Sequence, residues 1–133
     1  MKKIVYCTTK NGASEKYAKW LAEKFECKYC EFQAVSQYPI ADYEKIYVIS
    51  GTYGGNMPLT QFLKENWQNL ASKQIVAIAA GMVAKNHWWS KITYKMVPKH
   101  IRAKVEYHKI FGQIPDKPET LDQVKKENLN EIE

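Results

Sequence analysis

The sequence predicts an α/β fold in which a parallel sheet is covered on both faces by helices, and three observations lead there. Apolar runs of strand length alternate with stretches of helical periodicity. The joins between them are short, as expected where each strand feeds a crossover back to the same edge. The first run, Ile4-Val5-Tyr6-Cys7, breaks into a hydroxyl-rich turn that opens a helix. A chain of 133 residues suits one domain, 1–133, large enough to bury a core without disulfides or metal.

Strands are expected at 3–8, 29–33, 45–51, 74–81 and 105–111, each an apolar or β-branched run bounded by turn residues. The helix at 13–26 puts Tyr17, Leu21 and Phe25 on one stripe. The next, 58–70, starts at Pro58, whose fixed φ and missing N–H suit a first helical position, and carries Phe62, Leu63, Trp67 and Leu70. Residues 88–103 read as a helix broken at Pro98, and 119–131 as a last helix. Between the second and third strands, 34–43 contains Ser36, Pro39 and Asp42 and reads as an irregular crossover or one short turn. No repeat or low-complexity segment is present.

In an open parallel sheet the ligand lies outside the carboxyl ends of the strands, where the winding direction switches. That rule selects three loops. The first, Thr9-Lys10-Asn11-Gly12-Ala13-Ser14, reads as an anion site, because backbone N–H groups at a helix start lack intrahelical partners and the dipole there is positive. Thr9 and Ser14 add hydroxyl donors, and Gly12 allows close approach of the backbone. Neither G-x-x-x-x-G-K-[ST] nor G-x-G-x-x-G occurs. The second loop, Thr52-Tyr53-Gly54-Gly55-Asn56, offers Tyr53 as a stacking surface for a flat ring, with backbone polar groups at the ring's edge. The third, from Gly81 and Met82 to His87, Trp88 and Trp89, is placed to cover the ring's other side, against the plain alternative of core packing.

The register of the first loop resembles the flavodoxin signature: Val5, Tyr6, Thr9, Gly12, Ala18 and Leu21 fall in line with it. It departs at Cys7, where an aromatic is usual, and at Ser14, where Thr is usual and the hydroxyl is kept. More closely, the chain resembles short flavoproteins similar to menaquinone-dependent protoporphyrinogen dehydrogenase. The likeness rests on Thr9-Lys10-Asn11-Gly12, on Ser50-Gly51-Thr52-Tyr53-Gly54-Gly55 and on Met82-Val83-Ala84-Lys85. The resemblance implies a flavodoxin-like three-layer α/β/α sandwich, with a five-stranded parallel sheet in order 2-1-3-4-5. It also implies FMN, its phosphate on Thr9–Ser14 and its isoalloxazine between the other two loops. Dehydrogenases of that group carry a long basic and aromatic insertion before the last helix, whereas here only a short Pro115–Pro118 passage follows Phe111-Gly112-Gln113-Ile114. The porphyrin or quinone role is therefore not carried over.

Composition narrows the remaining classes. The long apolar run through Ile75 to Val83 is too short to span a bilayer, and the apolar stretch after Lys2-Lys3 is too brief for a signal peptide. Three cysteines argue against a secreted disulfide framework, so a cytoplasmic location is expected. Cys27-Lys28-Tyr29-Cys30 has redox spacing but sits where a helix ends, and one pair cannot complete a zinc site. It reads as two incidental small hydrophobes. No catalytic residue or metal ligand is assigned, and His87, His100 and His108 lack ligand spacing.

Charge adds a clue about partners. Residues 85–109 hold Lys85, Lys91, Lys95, Lys99, Arg102, Lys104 and Lys109 against Glu106, so this stretch accounts for the net charge of +6 while the rest balances. Flavodoxins that carry electrons are typically acidic, so the resemblance implies a different partner here: an anionic redox protein or small-molecule acceptor, with peripheral contact to anionic lipid as a further reading. A solvated lysine-rich face is the plain alternative. Nucleic acid is disfavoured for want of a recognised motif. The expected function is FMN-dependent electron transfer. A flavin-dependent dehydrogenase and a flavin-free basic adaptor are the alternatives.

Overall fold

The computed structural model describes residues 1–8, 12–51, 57–81, 88–112 and 124–133, with backbone only at 88–90 and 92. In chain order they form β1 (Lys3–Cys7), α1 (Gly12–Phe25), β2 (Lys28–Glu31), β3 (Lys45–Gly51), α2 (Pro58–Leu70), β4 (Gln74–Gly81), α3 (Trp88–Lys95), α4 (Lys99–Arg102) and β5 (Val105–Phe111). The strands make one parallel sheet in the order β2-β1-β3-β4-β5, as the family resemblance implied. Winding reverses between β1 and β3, and this puts the carboxyl ends of β1, β3 and β4 side by side.

The central strands are apolar without alternation because both faces are covered. Ile4, Tyr6, Ile46, Val48, Ile75 and Ala77 face one core, shared with Leu59, Phe62 and Leu63 of α2 and with Val97 and Ile101 around α4. Val5, Cys7, Tyr47, Ile49, Val76 and Ile78 face the other, with Tyr17, Ala18 and Leu21 of α1. Successive residues of a strand thus go to opposite layers.

The 34–43 crossover is irregular, with 3-10 turns at Phe32–Ala34 and Ile40–Asp42. The expected break at Pro98 is there too: α3 ends at Lys95, and Pro98 is the N-cap of α4. One element is corrected. Of the helix expected at 119–131, 119–123 lie outside the described residues, and 124–131 form no α-helix, only a 3-10 turn at Lys126–Leu129. The backbone there bonds across to other elements instead. Lys24 Nζ donates to the carbonyls of Leu129 at 3.0 Å and Ile132 at 2.7 Å, and Tyr47 donates its hydroxyl to the Glu133 carbonyl at 2.9 Å. Val124, Leu129 and Ile132 are nonetheless buried against the α1 core.

Candidate functional site

Three chain segments leave the same edge of the sheet. The backbone N–H of Thr8, just past β1, donates to the Ile49 carbonyl at 3.3 Å, which holds the start of the first loop against β3. β3 and β4 end in register, with Gly51 opposite Ala80, and Gly81 lies opposite Phe111 of β5. At that corner the Gly112 N–H donates to the Gly81 carbonyl at 3.1 Å. A Cβ on Gly112 would stand 2.9 Å from backbone atoms of Ala80 and Gly81, so only glycine fits there without a shift of β4.

At the first loop, Gly12 opens α1, followed by Ala13 and Ser14, both fully buried. A Cβ built on Gly12 would meet nothing within 4 Å. The Ser14 hydroxyl is buried and has no hydrogen-bond partner among the described residues, a cost of about 1–3 kcal/mol when left unmet. An orphan hydroxyl in the first turn of a 14-residue helix, beside open space at a glycine, is the donor set that an anionic oxygen would satisfy. The residues present therefore fit a phosphate group.

At the second loop, the hydroxyl of Ser50 ties the end of β3 to the start of α2. It accepts the Leu59 N–H at 3.1 Å and donates to the Gly51 carbonyl at 3.0 Å. The N-cap position of α2, Met57, supplies no side-chain bond to the helix N–H groups, and Pro58 has no N–H, so Ser50 caps the helix from nine residues upstream. Thr60, in the same first turn, has a buried Oγ1 without a partner among the described residues. In the sequence Ser50 stood only as a member of the second-loop pattern, without a role, and Thr60 was not singled out. A lone hydroxyl in the apolar run before Gly51 was the available signal for Ser50; Thr60 looks like any helical threonine.

Of the residues expected to bind a cofactor, Gly12, Ala13 and Ser14 lie together at the start of α1, Gly81 ends β4 and the backbone of Trp88 begins α3. Thr9, Lys10, Asn11, Thr52, Tyr53, Gly54, Gly55, Asn56, Met82 and His87 lie outside the described residues. Burial, then the charges of Glu15, Cys30 and Glu31, push the Cys7 thiol up to about 12, so it remains protonated at the end of β1, in the core it shares with Ala13. Burial likewise raises Cys27, and raises Cys30 to about 11; both are free thiols, as an inert pair would be. Among the described residues no group of His, Cys, Asp or Glu could hold a metal ion. The open cleft of about 570 Å³ beside β2, which includes Cys27, Tyr29 and Tyr38, lies away from the strand carboxyl ends that form this site.

A model of the family described as flavodoxin domain matches residues 4–130. No curated protein matches the sequence. Among solved structures, a flavodoxin from the domain Archaea is similar at 18% identity with a TM-score of 0.59, over 98% of this chain and 95% of that one. The Trp repressor binding protein from Bacillus subtilis aligns at 16% identity with a TM-score of 0.64, over 92% and 90%. Oxidised Flavodoxin 2 from Bacillus cereus aligns at 15% identity with a TM-score of 0.57, over 97% and 96%. At such identities these structures speak for the fold.

Proposed function

This chain belongs to the flavodoxin family, and from that premise we propose that it is a single-domain electron carrier binding FMN non-covalently. The family implies a flavin. The observation that carries the reading for this chain is the buried, unpartnered Ser14 hydroxyl in the first turn of α1, beside the open space at Gly12. Thr9, Lys10, Asn11 and Ala13 complete the phosphate loop in this reading, with Thr52–Asn56 and Gly81–Trp88 as the two flanks of the ring.

The division of labour follows. When bound, FMN supplies the redox chemistry of its isoalloxazine. The chain supplies position: α1 presents N–H groups and the Ser14 hydroxyl to the phosphate, and Ser50 holds the base of the second loop closed by capping α2. Cys7, kept as a neutral thiol, adds no charge that would repel an anion above it. The three free cysteines fit a reducing, cytoplasmic setting. Among the described residues no helix is long and apolar enough to cross a membrane.

The likeness to the protoporphyrinogen dehydrogenase group extends, in this reading, to the flavin loops and not to substrate, because the basic and aromatic insertion of that group has no counterpart of similar length here. The test is an absorbance spectrum of purified protein before and after addition of FMN and desalting. Flavin bands that stay with the protein are expected. A colourless protein after desalting would remove the function and leave the fold standing.

A further inference from the structure

The sheet sorts the charge of this molecule. On the layer formed by α2, α3 and α4, the side chains of Lys64, Lys91, Lys95, Lys99 and Lys104 are exposed. The acidic residue those helices carry is Glu65, which accepts a hydrogen bond from Gln61 Nε2 at 2.7 Å. On the opposite layer acids and lysines are interleaved along α1 and the C-terminal segment, and Lys126 pairs with Glu23 at 3.8 Å. Among the described residues, Lys91, Lys95 and Lys99 have no carboxylate within ion-pair distance.

The arrangement of these lysines along the fold has a direction. α3 stacks Tyr94 on Tyr107 in the middle of β5, and the chain runs from there to the start of β5, so Lys91, almost one helical turn before Tyr94, lies toward the carboxyl edge of the sheet. The chain then descends through Lys95 and Lys99 to Lys104, directly before β5 starts at the opposite edge. Lys91 and Lys95 are four residues apart on one helix, a spacing at which like charges repel unless an anion relieves them. Met96, 59% exposed, sits between Lys95 and Lys99 and offers an apolar contact within the basic field.

We propose that the α3 face, centred on Lys91 and Lys95, is the docking surface for an acidic redox protein. The proposal rests on the electron-carrier reading and adds the charge of the partner and the side from which it approaches. A folded protein fits better than a lipid surface. An interfacial helix buries an apolar face, whereas Met96 is the exposed large hydrophobic among the described residues of this layer, and Thr93, Val97 and Ile101 are buried inside. Electron-transfer complexes are small and electrostatically steered, so a few unpaired lysines beside the cofactor edge suffice to set orientation and encounter rate.

The experiment uses the FMN-loaded full chain and an acidic plant-type ferredoxin as probe, with binding followed by fluorescence anisotropy as salt is raised. Affinity is expected to fall steeply with salt, and Lys91→Glu with Lys95→Glu to weaken it by about tenfold or more. Lys99→Glu with Lys104→Glu makes the same charge change toward the far edge and is expected to weaken it much less. Equal losses in the two pairs, or affinity indifferent to salt, would overturn the proposal. So would cosedimentation with phosphatidylserine vesicles in salt that abolishes ferredoxin binding. Flavin retention is read separately from the absorbance spectrum: a coloured protein without affinity refutes the docking surface, whereas a colourless one refutes the reading on which it rests.

Discussion

Ser14 and Ser50 are both fully buried, and their hydroxyls have opposite fates. That of Ser50 is used twice, by Leu59 and Gly51, whereas that of Ser14 has no partner among the described residues. Removing each should therefore act on a different property. Ser50→Ala leaves the Leu59 N–H without its cap and is expected to destabilise the domain by about 1–2 kcal/mol, read from urea unfolding of the FMN-free protein. Gly12→Val with Ser14→Ala is expected to weaken FMN affinity by about tenfold or more without lowering the urea midpoint of the FMN-free protein, since the new Cβ meets open space and removing a buried, unmet hydroxyl relieves its desolvation cost. A fluorescence titration showing unchanged affinity would remove Ser14 from the phosphate site. Ser14 was named from the sequence by its place in the loop register. Ser50 was not, because its partner is a helix N–H brought beside it by the turn of the chain.

Helix boundaries show how far local signals reach. α1 ends in a turn where the Cys27 N–H reaches back to the Ala22 carbonyl at 2.9 Å, and Glu26 is left with a φ of 52°. This left-handed position is one that glycine takes without strain. Glu26→Gly is expected to raise stability by about 0.5–1 kcal/mol, part of the strain relief being offset by the greater freedom of the unfolded chain, and thermal unfolding checks it. Pro58 marked a helix start in the sequence and Pro98 a helix break, because proline acts on its own backbone and on its immediate neighbour. The C-terminal segment was misread for the converse reason. Its apolar residues are buried as a helix would bury them, yet its carbonyls are claimed by Lys24 and Tyr47, both more than 80 residues away in the chain.

Across the whole molecule, the buried thiols and phenols make stability depend on high pH. Burial raises Cys7 from 9.0 to about 12 and Tyr47 from 10.0 to about 12, and it pushes Tyr6 and Tyr107 upward as well. Each group is held in its neutral form by the fold and ionises earlier once unfolded. The stabilising contribution is therefore complete below about pH 9 and is lost as pH rises toward 12. The thermal midpoint should fall over that window, and Cys7→Ala should show a lower plateau with a shallower decline. A midpoint flat from pH 9 to pH 11 would contradict the burial of these groups.

The sequence by itself determined the alternation of strands and helices, their bounds to within a residue or two for most elements, and the loop carrying Gly12 and Ser14. Each of these follows from periodicity, prolines and local turn chemistry, which act over a few residues. The tertiary structure alone decided that Ser50 caps α2, that Gly112 must be glycine, that the C-terminal segment is not an α-helix, and that the unpaired lysines share one layer. Those depend on groups brought together by the winding of the sheet, where hydrogen-bond satisfaction and steric fit between distant segments outweigh local preference.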